Sequence, residues 1–268
     1  MTRPKMIPPA RFGKLVGIFS GLILVVLAQV FSEAMPGKSP THTRNGFDLT
    51  RSIIDRNEIL SGGPPKDGIP AIDRPRFVPA DQAGYLQDDD IVISLVRGKI
   101  AKAYPTRILV WHEIVNDTIG PDSVAVTYCP LCGTAMVFDR NIGGTLLSFG
   151  VSGLLFRSDV LMYDRESQSL WSQLMMKAVT GKAVGTNLTW LPSEQMTFKA
   201  WKTRYPDGSV LSTDTGFSRN YSANAYESYF KSDKPMFAVP QHRDELKDKS
   251  WVIGIVMDNT AKAYPVDR

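Results

Sequence analysis

The chain has two cysteines, and they sit close together: Cys129 and Cys132, in a Cys-Pro-Leu-Cys-Gly turn. Val124, Val126, Thr127 and Tyr128 lead into that turn, and Ala135, Met136, Val137 and Phe138 lead out of it. β-Branched and aromatic residues on both sides favour extended backbone. Pro130 fixes φ inside the turn, and Gly133 can take the positive φ needed to leave it. The stretch therefore predicts a hairpin that presents two thiols at its bend. It is a knuckle, and it lacks the helix start that lowers the first thiol's pKa in thioredoxin-like enzymes.

Two thiols so placed can share a metal, close a short disulfide or act as a redox pair. A closed zinc site needs four ligands, and a second cysteine pair is missing. Further ligands must come from His, Met, Asp or Glu. The nearest candidate is His112, in Val110-Trp111-His112-Glu113-Ile114-Val115-Asn116-Asp117. Its spacing from Cys129 suits two adjacent β-elements. The expected metal set is Cys129, Cys132 and His112. Such a set with a Met or a water suits copper, and with an open position it suits catalytic zinc. The alternative is a disulfide staple, with His112 merely hydrogen-bonded in a core.

Asp164, Glu166, Trp171 and Gln173 form a second polar and aromatic group. Groups of that kind line pockets, and Asp164, Glu166 and Gln173 are the candidates for catalytic side chains. A solvated turn beside a core tryptophan explains the same residues. There is no G-x-S-x-G elbow and no H-E-x-x-H pair, so metal handling or electron transfer fits better than hydrolysis. No residue is assigned to an organic cofactor.

The fold expected is mainly β with a few helices (α+β), with duplicated hairpin units and an N-terminal apolar helix. Val92 to Val96, Arg97-Gly98-Lys99, then Ile100 to Pro105 read as a hairpin. The unit returns as Val252 to Val256, Met257-Asp258-Asn259, then Thr260 to Pro265, and Ala-Lys-Ala-Tyr-Pro is identical in both. The repeat units near 91–107 and 251–268 read as an internal duplication whose second copy is cut short. Leu146 to Tyr163 gives two β-runs broken at Gly150 and Gly153, and Ala178 to Leu191 a further hairpin. Short helices are expected over Ile53–Leu60 and Ser193–Tyr205, the latter stopped by Pro206-Asp207-Gly208. Asn220 to Phe230 is an aromatic loop that covers a pocket or packs.

The net charge of +4 sits largely at the N-terminus. Arg3, Lys5, Arg11 and Lys14 face only Glu33 there, which leaves 27 basic against 26 acidic residues elsewhere, so nothing argues for nucleic acid. The basic residues precede an uncharged apolar run, Leu15 to Phe31, with Ser32-Glu33-Ala34 after it. Residues 1–34 read as a signal peptide or membrane anchor, 35–66 as a linker and irregular segment, and 67–268 as one β-rich domain. The body is expected outside the cytoplasm, in the periplasm or at the cell surface. Its partner is the membrane, through the N-terminal helix, and no protein partner is indicated.

The segments DGIPAID, AKAYP, LVWHEIVNDTIG, VTYCPLCGTAMVFDR, FGVSGLL and LMYDRESQSLWSQ together resemble one bacterial family, a domain of unknown function numbered 3179. The resemblance runs from about Asp67 to the C-terminus. It implies that His112, Glu113, Asn116, Asp117, Cys129, Cys132, Asp164, Trp171 and Gln173 belong to blocks the family shares, and that members are exported or membrane-anchored. It implies no mechanism. The function expected is metal binding or thiol redox through the Cys-Pro-Leu-Cys knuckle plus histidine. The alternatives are a non-enzymatic envelope or structural module with a disulfide, and an enzyme acting on an envelope substrate.

Overall fold

From Val124 to Cys129 every side chain of the strand Asp122–Cys129 is buried, on both faces. A strand can be apolar on both sides only where its sheet is covered on both sides. The computed structural model, which describes residues 42–240, 244–257 and 260–266, shows what covers it. Asp122–Cys129 lies inside a four-stranded sheet ordered Trp190–Leu191, Thr134–Asp139, Asp122–Cys129, Ile114–Ile119. Val124, Val126 and Tyr128 point to one face, where they meet Ile93, Leu95, Tyr104 and Leu211. Ala125 and Cys129 point to the other, where they meet Phe149, Val151, Val160, Met162 and Trp171. The alternation of side chains along one strand thus joins three sheets into a stack.

The sheet facing Ala125 and Cys129 has the order Lys177–Ala178, Leu170–Ser172, Asp159–Asp164, Phe149–Phe156, Ile59–Ser61. The sheet on the opposite side has the order Glu194–Thr197, Ile91–Arg97, Ile100–Pro105, Ser209–Leu211, Phe77–Pro79. With 10% helix and 41% strand the protein is mainly β. Its hairpins follow the sequence closely. Ile91–Arg97 pairs with Ile100–Pro105 from Val92↔Pro105 to Arg97↔Ile100. Val252–Met257 pairs with Thr260–Pro265 in the corresponding register, Ile253↔Tyr264 matching Ile93↔Tyr104. The first hairpin is deep in its sheet. The second is a two-stranded ribbon on which Ile253, Ile255 and Tyr264 are exposed.

Several expectations are corrected by tertiary pairing. Ile53–Leu60 forms no α-helix. Arg56–Glu58 is one 3-10 turn, capped by Asp55, and Ile59–Ser61 leaves it as an edge strand on Phe149–Phe156. Within the expected linker, Phe47, Leu49 and Ile59 are buried against Leu154, Leu161, Tyr163 and Leu170. From residue 42 this segment is therefore the outer cover of the sheet. The helix expected from Ser193 begins at Phe198, with Thr197 as its cap, because Glu194–Thr197 is taken up as an edge strand on Ile91–Ser94. Phe198 and Trp201 of that helix pack on the free face of its sheet, and Trp201 Nε1 donates to Ser94 Oγ at 3.1 Å. Lys177–Ala178 and Trp190–Leu191 belong to different sheets, and the hairpin expected there is reduced to a fold-back with one antiparallel bridge, Lys177↔Asn187, flanked by bonds from Ala178 N to Thr186 and from Leu188 N to Met176. The apolar run Leu15 to Phe31 lies outside the described residues. Among the described residues, no helix is long and apolar enough to cross a membrane.

The apolar run Leu146 to Tyr163 turns at Arg157-Ser158, not at its glycines. Phe156 pairs with Asp159, and both turn residues have positive φ, 52° and 62°. That is the turn whose twist matches two antiparallel strands. Gly153 instead marks a bulge in the ladder, at φ 72°. A Cβ there would lie 2.2 Å from the Pro64 carbonyl oxygen. Its carbonyl accepts from Gly62 N at 2.8 Å. Gly153→Ala is therefore expected to destabilise the protein by roughly 2–4 kcal/mol, combining positive φ with an overpacked contact. Urea denaturation should show a lower midpoint at unchanged slope, whereas an unchanged midpoint would mean that the 42–66 segment does not dock as described.

Candidate metal centre

The two hairpin bends described above come from facing sheets and meet at one end of the stack. Cys129 pairs with Thr134, and Pro130 to Gly133 form the bend between them, with Gly133 at φ 64°. Cys129 is buried and Cys132 reaches solvent. The second bend, Arg157-Ser158, delivers Asp159, which is buried at 3% exposure. One ligand atom from each of Cys129, Cys132 and Asp159 lies within 4.8 Å of the other two. Cys132 Sγ is 3.8 Å from Asp159 Oδ1, and Cys129 Sγ is 3.8 Å from the Ser158 carbonyl oxygen. Tetrahedral coordination at ordinary zinc–sulfur and zinc–oxygen lengths needs ligand–ligand edges of about 3.5–3.8 Å. The Cys132–Asp159 edge already has that length, and the other two edges are at most 4.8 Å.

Asp159 divides its two oxygens between structure and site. Oδ2 accepts from Ser172 Oγ at 3.2 Å and from Leu174 N at 3.1 Å. Oδ1 faces the Cys132 sulfur. One oxygen thus orients the carboxylate while the other is offered, the arrangement by which outer partners aim a ligand. Burial first and foremost pushes the Asp159 carboxyl up to about 7, against partial relief from these donors. The hydrogen bond with Cys132, then burial, and then the charges of Cys132, Asp159 and Glu113 push the Cys129 thiol well above its ordinary value. For Asp159 and Glu113 burial is what raises the carboxyl, and only for Cys129 do neighbouring acids add to it. Among the described residues, none of the ion pairs involves Asp159 or Glu113.

His112 is not part of this group. Its Nδ1 bonds the Pro70 carbonyl at 2.7 Å, and its Nε2 bonds the Tyr221 hydroxyl at 2.7 Å. A carbonyl can only accept, so Nδ1 carries the proton and Nε2 accepts from Tyr221. Burial lowers the imidazole's pKa and keeps it neutral. The lone pair a metal would need is already occupied. The cause lies in Glu113, whose backbone is left-handed at φ 57°. Ile114 pairs with Thr127, so a straight strand would have placed His112 opposite Cys129. Instead the Glu113 carbonyl accepts from Tyr128 N, and the chain turns before His112.

The other candidates separate as well. Asp164 is wholly buried and ties off its own turn, accepting from Ser167 Oγ at 2.6 Å, Ser169 N at 3.2 Å and Trp171 Nε1 at 2.8 Å. Glu166 accepts from Ser148 N at the surface. Gln173 belongs closer to the cysteines. Its Nε2 donates to Thr127 Oγ1 at 2.7 Å and to the Thr134 carbonyl at 3.3 Å, while its buried Oε1 has no partner. Thr127 and Cys129 share a face of their strand, so Gln173 lies against the base of the knuckle. The aromatic loop covers it. Tyr229 Oη donates to the Leu131 carbonyl at 2.6 Å, Tyr226 Oη donates to Glu113 Oε1 at 3.4 Å, and a Cβ on Gly133 would lie 2.7 Å from the Trp251 ring. Tyr226 and Tyr229 belong to the loop expected to cover a pocket or pack, whereas Asp159 and Trp251 are site residues that sequence reasoning missed. The available signal for Asp159 was a single acid inside an otherwise apolar pair of β-runs.

Burial raises the Glu113 carboxyl from 4.5 to about 7, and the Tyr226 hydrogen bond offsets only part of this. Below about pH 4.5 the group is protonated in both states and its effect on stability is constant. From there to about pH 7 the unfolded chain loses the proton and the folded chain keeps it, so stability falls with rising pH, by roughly 3 kcal/mol in all. Glu113→Gln should remove that part of the slope. Urea unfolding in the presence of a chelator, at about pH 4.5 and about pH 7.5, checks this: equal slopes for the variant and the natural chain would show that Glu113 is not buried as an acid.

The chain has no significant match among curated proteins or among solved structures. A family model described as protein of unknown function (DUF3179) matches residues 66–268, which include every residue of the centre. The chain belongs to that family.

Proposed function

We propose that this protein is an extracytoplasmic metal-binding protein, and that Cys129, Cys132 and Asp159 hold one zinc ion. The observation that carries this reading is the convergence of two sulfurs and a carboxylate oxygen within 4.8 Å, with Cys129 and Asp159 buried and Cys132 at the surface. Ionised, the three ligands supply three negative charges in a dry place, which a dication largely neutralises. Two thiolates with a hard carboxylate suit zinc better than copper(I), which prefers thiolate and thioether. Three protein ligands also leave a position open, as catalytic zinc sites do. A thiol-redox role is less well supported, because the knuckle lies between two strands and has no helix start beside the thiols. The basic residues and apolar run of the N-terminus support export or anchoring at a membrane. The matching registers of the two Ala-Lys-Ala-Tyr-Pro hairpins support reading them as duplicated units.

Full-length protein purified and dialysed should hold one zinc per chain. Cys129→Ser, Cys132→Ser and Asp159→Asn should each weaken zinc by ~100-fold or more, since each removes a direct ligand. His112→Gln should retain the metal, because His112 is bonded elsewhere. Zinc loss in His112→Gln equal to that in Asp159→Asn, or no zinc above the Cys129→Ser level in the natural chain, would defeat the assignment.

A further inference from the structure

A cleft of about 580 Å³ has Asp73, Arg74, Pro75, Arg76, Thr215 and Phe217 in its wall, none of them part of the metal centre. That volume is in the range of small-molecule sites. Thr215 ties the wall to His112. Its Oγ1 bonds the Tyr221 hydroxyl at 2.6 Å, and that hydroxyl bonds His112 Nε2 at 2.7 Å. The inner end sets the direction of the chain. The Pro70 carbonyl accepts from Nδ1, so Nε2 accepts from Tyr221, and Tyr221 accepts from Thr215. Thr215 Oγ1 then accepts from Phe217 N at 3.3 Å, which fixes the turn that carries Phe217. The Phe217 ring lies against the imidazole, centroids 5.4 Å apart, and is still 41% exposed. A chain of buried hydrogen bonds thus holds a flat apolar face in the wall of a cleft.

The charges of the wall leave one cation over. Asp73 accepts from Arg165 at 2.9 Å and from Asn116 Nδ2 at 2.7 Å. Arg76 is paired with Asp214. Among the described residues, Arg74 has no ion-pair or hydrogen-bond partner. The Arg219 guanidinium is a further positive charge near His112 and Tyr221. We propose that this cleft is a second ligand site, which takes a small carboxylate on a flat apolar body, with the carboxylate on Arg74 and the flat face on Phe217. A guanidinium matches a carboxylate with two parallel hydrogen bonds. One uncompensated cation in the wall balances a monoanion and leaves a phosphate dianion half neutralised. The flat body follows from the exposed ring, since aromatic faces bind other rings beyond their burial alone. A face held in place before binding loses little freedom on binding.

The test follows the His112 imidazole of the full chain by NMR, in a buffer without carboxylates, with the signal assigned by its loss in His112→Gln. Benzoate should shift it saturably. Acetate should need a concentration ~tenfold or more higher, because it has no ring to bury against Phe217. Benzyl alcohol should likewise need ~tenfold or more, because it has no charge for Arg74. Phenyl phosphate should bind more weakly than benzoate. Arg74→Gln should weaken benzoate ~tenfold or more and leave the fold intact, since Arg74 is exposed and bonds nothing. Phe217→Ala should bring benzoate to the level of acetate. If benzoate leaves the His112 signal in place, or acts equally on Arg74→Gln, the proposal is wrong. If acetate or benzyl alcohol matches benzoate, the flat face or the charge plays no part and the proposal is equally wrong. Phenyl phosphate binding more tightly than benzoate would overturn the carboxylate class. The zinc reading depends on none of these outcomes.

Discussion

A carboxylate buried beside two thiols, with no cation to balance them, is the constraint on which the site depends. Desolvation penalises each ionised form, and their mutual repulsion adds to the penalty. Burial shifts the Asp159 carboxyl to about 7, and the hydrogen bond with Cys132 together with burial shifts the Cys129 thiol well above its ordinary value, both toward the protonated form. The Asp159 side chain is aimed by Ser172 and Leu174, while its second oxygen points at sulfur. That division of labour suits the ligand role proposed for it.

The stack of sheets explains how such a group stays in place. The middle sheet is covered on both faces, so the Cys129 hairpin cannot slip by a residue without turning its apolar side chains the wrong way. The facing hairpin is held by the same core, through Val160, Met162 and Trp171. Two rigid bends are thereby presented side by side. Tyr229, bonded to the Leu131 carbonyl, and Trp251, against Gly133, then cover the knuckle from outside. The chemistry sits on strand ends and the access is set by the loops, a common division in β proteins.

The knuckle was legible in the sequence because Pro130 and Gly133 dictate a bend and the flanking residues favour strands. The hairpin at Ile91 to Pro105 was legible for the same local reasons. Asp159 was not, since the break in that stretch was placed at Gly150 and Gly153 and not at Arg157-Ser158, and only the packing of one sheet on another brings it to Cys132. His112 misled because its spacing fits the register of the adjacent strand, and a left-handed residue at Glu113 breaks that register. The helix before Tyr205 was found but started too early, because edge pairing to Ile91–Ser94 overrode the local capping signal of Ser193. The segment from residue 42 looked like a linker by its composition. Its few apolar residues, Phe47, Leu49 and Ile59, are enough to cover a sheet face.

The zinc assignment stands or falls with the atoms that hold the ion. X-ray absorption at the zinc edge of the purified full chain reads that directly. The account predicts a first shell of two sulfurs at about 2.3 Å with oxygen or nitrogen at about 2.0–2.2 Å, and the loss of one sulfur in Cys132→Ser. A shell of nitrogen and oxygen alone, unchanged by that substitution, would contradict it.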